Sequence, residues 1–351
     1  MLRAAYTRRV LHFKEPAITS RGVMTRKECW YVKAWEEDDP GRFGLGECPL
    51  FRGLSAEDRP GYEERLGEAC ARVADFRPGE WREWSSICLG METALADLRN
   101  GGERLPFPGP FTRGEEALEI NGLVWMGSRE QVARRVEEKL AAGFRCLKLK
   151  IGAIGLREEL ELLRSARDRF PGVQLRVDAN GAFTPGEAPR VLEQLARLGV
   201  HSIEQPIRRG QWREMRALCR ESPVPVALDE ELIGITRREE KIALLEEIAP
   251  RYIVLKPSLD GGFDSSGEWA ALAGERGVDW WATSALESNV GLNAVAQWAA
   301  LAGGISPRGL GTGQLYADNI PSPLESRGRF LTYHPGGAWD SRSLEFNRPP
   351  A

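Results

Sequence analysis

The sequence predicts an α/β protein, a (β/α)8 barrel of the TIM type preceded by a small α+β domain. Eight apolar, strand-like runs begin roughly every 24 to 29 residues, the spacing expected when strands alternate with crossover helices. The runs are LEINGLVW, CLKLKI, QLRVDAN, HSIEQP, PVALDE, YIVLKP, DWWATS and PRGLGT. Helix-like segments separate them, and the chain of 351 residues is longer than one barrel usually needs.

The region before the barrel combines strands and helices. Residues 3–50 alternate as antiparallel strands do, and the amphipathic segments AEDRPGYEERLGEACARVA and SSICLGMETALADLRN follow them. The Pro- and Gly-rich stretch GGERLPFPGPFTRGEE then leads into the barrel. We therefore predict an α+β domain at 1–110, a barrel at 111–320 and a tail at 321–351 that returns to the first domain.

Composition excludes several classes of function. The formal net charge is −3 with a pI near 5.9, which gives no basic surface for nucleic acid. No apolar stretch at the N-terminus is long enough for a signal peptide or membrane span, so we expect a cytoplasmic protein without a membrane partner. The six cysteines are dispersed and include no CxxC pair, so reduced thiols are expected. The sequence does not predict an oligomeric state.

Charged residues close five of the apolar runs. They are Lys148 and Lys150 in CLKLKIG, Asp178 in QLRVDANG, Glu204 in HSIEQP, Asp229 in VALDEEL and Lys256 in YIVLKP. A charge at the end of a buried strand is costly unless a metal, an opposite charge or a substrate compensates it. Alternate residues of a strand share a face, which separates both lysines of CLKLKIG from its leucines. We expect the charged faces to meet at the barrel mouth, where active sites lie.

The three acidic residues predict a metal site. Asp178, Glu204 and Asp229 lie on consecutive strands and offer carboxylate oxygens to one hard divalent cation. No histidine or cysteine follows the same pattern, which favours Mg2+ over Zn2+ and leaves Mn2+ as a possible working ion.

The order KxK, DAN, EQP, DE, KP resembles the enolase superfamily, in the branch with lysines on both sides of the metal. The resemblance covers nearly the whole chain and makes the α+β region the capping domain. Within the superfamily the chain is most similar to the o-succinylbenzoate synthase family. The similar segments are PAITSRGVMTRKE, GLGECPLFRGLS, TSALESNVGLNAVAQ and GLGTGQLYADNIPSPL.

This resemblance implies roles for each charged residue. Asp178, Glu204 and Asp229 would bind Mg2+. Lys150 would be the general base and then the general acid, and Lys148 would help to tune its pKa. Lys256 would stabilise the anionic intermediate. The implied activity is that of a carbon–oxygen lyase. It is a syn dehydration of a small carboxylate, 2-succinyl-6-hydroxy-2,4-cyclohexadiene-1-carboxylate, to 2-succinylbenzoate through a metal-stabilised enediolate, a step of menaquinone biosynthesis.

Neighbouring polar residues are candidate contacts. Substrate contacts are expected from Thr283, Ser284, Ser288, Gly311 and Thr312 after the last two strands, and from Arg21 in the first domain. The alternative role is capping of the following helix by Ser288 or Asn289. Three further residues are expected to contact the site residues and not the substrate: Arg176, Asn180 and Glu230. Arg176 is expected to be a partner for the carboxylates.

Two other functions fit the same residues. An N-acylamino acid racemase or dipeptide epimerase would keep the metal and use Lys150 and Lys256 as opposed acid and base. A barrel that only binds a ligand is the other alternative. A degenerate site of that kind should have lost a ligand or a lysine, and none is missing here.

Overall fold

A computed structural model describes residues 1–19, 22–152 and 155–346. The chain begins with an antiparallel sheet in the order β1–β2–β3, formed by β1 (Leu2–Thr19), β2 (Gly22–Glu36) and β3 (Asp39–Cys48). Three helices follow it: α1 (Tyr62–Ala71), α2 (Pro78–Trp81) and α3 (Ser85–Arg99).

Helix α3 packs directly on β3 because glycines line the contact. A Cβ atom at Gly46 would lie 1.9 Å from the carbonyl oxygen of Gly90, and one at Gly44 would lie 1.8 Å from that of Ala94. These distances are far below van der Waals contact, so only glycine permits this approach. The helix is therefore held rigidly on the sheet.

The barrel contains parallel strands that alternate with helices. The short strand β4 (Leu118–Glu119) precedes them and lies outside the parallel sheet. The barrel elements are β5 (Gly122–Val124), α4 (Arg129–Ala141), β6 (Cys146–Lys150), α5 (Leu156–Arg169), β7 (Gln174–Asp178), α6 (Ala188–Ala196), β8 (Ser202–Glu204), α7 (Trp212–Glu221), β9 (Val226–Leu228), α8 (Arg238–Ile248), β10 (Tyr252–Leu255), α9 (Gly262–Glu275), β11 (Asp279–Ala282) and α10 (Asn289–Ala302). Seven strands, β5 to β11, form one sheet in chain order.

The predicted eighth strand is only a short extended segment, yet it closes the barrel. Arg308 pairs in parallel with Ile120, and Gly309 pairs with Thr283 at the other edge of the sheet. The amide of Ser284 donates to the carbonyl of Gly309 at 3.0 Å. Pro307 precedes this segment and has no amide hydrogen, which limits the ladder. The predicted (β/α)8 fold with an N-terminal α+β capping domain is confirmed.

The alternation of side chains in β6 is as predicted. Leu147 and Leu149 are buried in the main hydrophobic cluster, together with apolar residues of the surrounding helices. Lys148 and Lys150 face the barrel interior, where they meet acidic side chains. The helix layer therefore takes the apolar face of the strand, and the barrel mouth takes the charged one.

The C-terminal tail returns to the first domain. Strands β12 (Leu324–Arg327) and β13 (Phe330–Tyr333) pair with each other, and β13 also pairs with β4. Further on, Leu344 packs in one cluster with Leu11 and Tyr31 of the N-terminal sheet. The tail thus contacts both β4 and the N-terminal sheet, while the division of the chain into domains stays a prediction. None of the helices in the described residues combines the length and apolarity needed to cross a bilayer.

Candidate active site

Three carboxylates meet at the carboxyl ends of neighbouring strands. Asp178 ends β7 and Glu204 ends β8, where the two residues are paired in register, and Asp229 directly follows β9. Each residue offers one carboxylate oxygen, and these three oxygens all lie within 4.8 Å of one another. All three side chains are buried, with at most 2% of their surface exposed. The convergence predicted from the strand order is therefore present.

Lys148 lies between two of these carboxylates. Its Nζ is 3.0 Å from Oδ2 of Asp178 and donates to Oε2 of Glu204. Burial lowers the pKa of Lys148, but the nearby Asp178 and Glu204 carboxylates outweigh burial, and the net pKa is raised. Lys148 thus remains a cation that offsets part of the acidic charge.

Lys150 reaches the same cluster from the end of β6. Its Nζ donates to Oδ2 of Asp178 at 2.6 Å and to Oδ1 of Asn180 at 2.8 Å. Burial lowers the pKa of Lys150, and the charges of Lys148 and Lys256 lower it further, although Asp178 opposes them. A depressed pKa makes the neutral amine, the form that can accept a proton, more accessible.

Lys256 approaches from β10, on the other side of the carboxylates. Its Nζ forms an ion pair with Oδ2 of Asp229. Burial lowers its pKa, but Asp229 outweighs burial and the net pKa is raised. The backbone amide of Lys256 donates to Asp260 at 2.6 Å, which fixes the start of the loop after the strand. The pKa of Lys150 is therefore lowered, whereas that of Lys256 is raised.

The carboxylates themselves respond to these charges differently. Burial raises the pKa of Asp178, but three surrounding lysines outweigh it and hold the net pKa well below its usual range. For Glu204, burial together with the charges of Asp178 and Asp229 raises the pKa to about 7, although Lys148 opposes the shift. The lysines therefore stabilise the charged form of Asp178 more than that of Glu204.

The donor set suits a divalent cation. Oε1 of Glu204 is buried and has no hydrogen-bond partner among the described residues, so the group retains an unused acceptor beside two other carboxylates. Buried acceptors without partners are rare and costly. A hard cation takes oxygen ligands of this kind. The residues Asp178, Glu204 and Asp229 therefore fit a divalent metal ion.

A partly open cavity lies over this cluster. Its charged and polar floor includes Lys148, Lys150, Lys256 and Asn180. Apolar walls surround the floor and come from both domains: Met24, Phe51 and Leu54 of the first, and Leu123, Trp125, Ala285 and Leu286 of the barrel. A polar floor with apolar walls suits a small organic acid.

The predicted substrate contacts divide into two groups. Thr283, Ser284, Gly311 and Thr312 line the cavity. The hydroxyl of Ser284 donates to Glu287 and accepts from Thr312 and from the amide of Leu286, which uses its one donor and both acceptor sites. The hydroxyl of Thr283 is buried without a partner among the described residues. Of the two hydroxyls, that of Thr283 has capacity left for a ligand.

Ser288 lies away from the described cavity lining. It is the N-cap of α10, where its hydroxyl accepts from the amide of Val290 and donates to Glu47. The capping alternative left open by the sequence is the one that the structure contains. Arg21 lies outside the described residues.

The three supporting residues have different positions. Asn180 accepts from Lys150 and donates to Oε1 of Glu230 at 2.9 Å, so both belong to the network around the site. Arg176 instead donates to the carbonyl of Pro307 at 2.9 Å and stacks over Trp281. No described carboxylate lies within ion-pair distance of Arg176, so the expectation that it contacts the acids is wrong. It lies two residues before the strand end, deeper in the barrel.

Residues that the sequence reasoning missed hold the site in place. Oε1 of Gln205 accepts from the amides of Asp229 and Glu231, which ties two neighbouring strand ends together. Glu287 is fully buried and links the loop after β11 to Ser258 by a contact of 2.6 Å. The polar Gln in EQP was a visible signal, whereas Glu287 lies in a loop with no periodic pattern.

Comparison with known proteins identifies the family. Residues 131–334 match the family model described as Enolase C-terminal domain-like. The chain is 44% identical to the o-succinylbenzoate synthase of Desulfotalea psychrophila over 93% of this chain and 98% of the relative. It is 32% identical to an N-succinylamino acid racemase of Thermus thermophilus over 88% and 85% of the two chains.

A solved structure agrees with the sequence comparison. The crystal structure of MenC from Desulfotalea psychrophila superimposes with a TM-score of 0.81 and 41% identity, covering 94% of this chain and 99% of that one. A family match over more than half of the chain, together with a relative of this identity over nearly its whole length, shows that the chain belongs to the enolase superfamily.

Proposed function

We propose that this protein is an o-succinylbenzoate synthase, a carbon–oxygen lyase. It would dehydrate 2-succinyl-6-hydroxy-2,4-cyclohexadiene-1-carboxylate to 2-succinylbenzoate in menaquinone biosynthesis. The observation that carries the proposal is the 44% identity to a synthase over 93% of the chain. The cavity, in which two lysines flank three buried carboxylates, supports it chemically.

The chemical difficulty lies in the first step. The hydrogen that must leave is bonded to the carbon beside the substrate carboxylate, and it is barely acidic because the resulting anion gathers charge on that carboxylate. A divalent cation held by Asp178, Glu204 and Asp229 would act there as a Lewis acid. Mg2+ is the preferred ion because all three ligands are carboxylate oxygens, and Mn2+ accepts the same ligands.

Lys150 would transfer the proton. In its neutral form it takes the proton from the ring carbon, and burial favours that form by lowering the pKa. The same ammonium then protonates the hydroxyl leaving from the same face, so that one C–H and one C–O bond break and water departs. Asn180 accepts from Nζ and fixes the direction of the amine.

Lys256 and Lys148 would act by charge alone. Lys256 stays protonated because its net pKa is raised, so it faces the anionic ring from the opposite side as a cation. Lys148 is enclosed by Asp178 and Glu204, where it keeps those carboxylates in place and lowers the pKa of Lys150. The two roles need no proton transfer from either residue.

The direct test is an ultraviolet assay of the purified protein with the cyclohexadiene substrate. We expect formation of the aromatic product with Mg2+, loss of activity after chelation, and recovery with Mg2+ or Mn2+. A racemase substrate turned over in the absence of any dehydration would contradict the proposal. Activity that persists in excess chelator would contradict the metal site.

Replacing Lys150 tests the proposed base. Lys150→Ala should reduce turnover by about 10²- to 10⁴-fold, the usual contribution of a general acid–base group. Calorimetry should show metal binding that is nearly unchanged, because all three carboxylates remain. Lys139→Ala, a lysine of α4 that does not contact the site, is the matched control. Normal turnover by the Lys150 variant would remove this residue from the reaction.

Replacing Asp229 tests the proposed metal ligands. Asp229→Asn should weaken Mg2+ affinity by about tenfold or more, because the charge of the ligands sets the affinity of oxygen sites. Glu231→Gln is the control, since its carboxylate contacts Gln205 and the amide of Gly210 instead of the acidic cluster. Equal affinities of the two variants by calorimetry would exclude Asp229 as a ligand.

A racemase activity is the second candidate. It is favoured by the 32% identity to an N-succinylamino acid racemase and by lysines on opposite sides of the carboxylates. If both lysines exchange protons with a substrate, an N-succinylamino acid in deuterium oxide should acquire deuterium at its α-carbon, as proton NMR would show. Absence of exchange in an enzyme that dehydrates the cyclohexadiene would exclude this activity.

A further inference from the structure

One wall of the cavity is fastened by the N-terminal sheet. We call residues 283–288, between β11 and α10, the wall loop. Ala285 and Leu286 of this loop line the cavity and are buried. Leu286 has a φ of 65°, a left-handed conformation that leucine rarely adopts. Such a conformation persists only where surrounding contacts hold it.

Two donors from outside the loop supply those contacts. Nζ of Lys27, on β2, donates to the carbonyl of Ala285 at 2.6 Å and to that of Leu286 at 2.9 Å. The hydroxyl of Tyr316, beyond the last barrel segment, donates to the same Leu286 carbonyl at 2.6 Å. The strained residue is therefore held through its backbone by side chains that are distant in sequence.

Packing alone does not explain a lysine at position 27. Its side chain is only 7% exposed, its Nζ lies 5.2 Å from the ring centroid of Phe51, and no described carboxylate is within ion-pair distance. A buried ammonium with no carboxylate at ion-pair distance is costly, and a methionine would fill the same space without that cost. What Lys27 adds is the pair of hydrogen bonds to the wall loop.

These bonds control what the wall presents to a ligand. A carbonyl oxygen carries partial negative charge and repels a carboxylate. The oxygens of Ala285 and Leu286 are bound by Lys27 and Tyr316, so both acceptors are withheld from the cavity. We propose that Lys27, together with Tyr316, is a positioning residue that fixes the wall loop for a dicarboxylate substrate; this inference rests on the proposed function.

The test compares Lys27→Met with Lys33→Met. Lys33 is a matched control because it lies on the same strand with its ammonium over Trp35 and Phe43, away from the wall loop. We expect Lys27→Met, which removes two hydrogen bonds donated by a charged group, to raise KM for the cyclohexadiene substrate, and Kd for 2-succinylbenzoate by calorimetry, by about tenfold or more. The kcat should stay within about threefold, because the acids and lysines of the site are untouched.

Tyr316→Phe provides a second and milder variant. It removes one hydroxyl from the same carbonyl and should raise KM about threefold with unchanged kcat. Unchanged KM and Kd in Lys27→Met would overturn the inference, as would equal effects of Lys27→Met and Lys33→Met. If Lys27→Met does not fold, unchanged KM in Tyr316→Phe overturns it. In each case wild-type turnover shows that the proposed function itself stands, whereas inactive wild type would contradict that function.

Discussion

The site depends on compensating three carboxylates that are buried together. Asp178, Glu204 and Asp229 are almost inaccessible to water, and their mutual repulsion would be prohibitive without nearby positive charge. Lys148 contacts two of them, and Lys150 and Lys256 each contact one. The negative charge of Glu204 is not fully compensated, since its pKa is raised to about 7 and its Oε1 has no partner among the described residues. This uncompensated negative charge destabilises the fold, and it also makes the cluster suited to binding a divalent cation.

The lysines acquire different chemistry from small differences in their contacts. Lys150 shares Asp178 with Lys148, so the acid is divided between two cations, and burial lowers the pKa of Lys150. Lys256 has Asp229 largely to itself, and its pKa is raised. An amine with a lowered pKa and an ammonium with a raised pKa therefore line one cavity. This difference in pKa supports the proposed dehydration, in which Lys150 accepts a proton and then donates it to the leaving hydroxyl.

The two domains form the cavity together. The N-terminal region supplies Phe51 and Leu54 to its wall, and the barrel supplies the charged floor. Buried polar contacts cross the junction: Glu47 accepts from the amides of Ser288 and Gly291, and the carboxylate of Glu92 accepts from the first amides of α9. Because these contacts reach the loops after the barrel strands, the capping domain influences the geometry of the site.

The sequence by itself determined the barrel, its strand order and the six charged side chains at the strand ends. These are local properties, since hydrophobic periodicity defines each strand and the two-residue alternation of side chains defines its faces. The acids could be placed together because consecutive parallel strands end at one edge of a barrel. The resemblance to the enolase superfamily rested on those same strand-end motifs.

Tertiary structure decided what depends on contacts between distant segments. Lys27 meets Ala285 across 258 positions of sequence, and no pattern near either residue predicts that pair. In the same way, Ser284 uses up its hydrogen bonds within its own surroundings, and Arg176 turns toward Pro307 and not toward the acids. A side chain chooses its partner from whatever the folded chain brings within about 3 Å, and only the packed structure defines that neighbourhood.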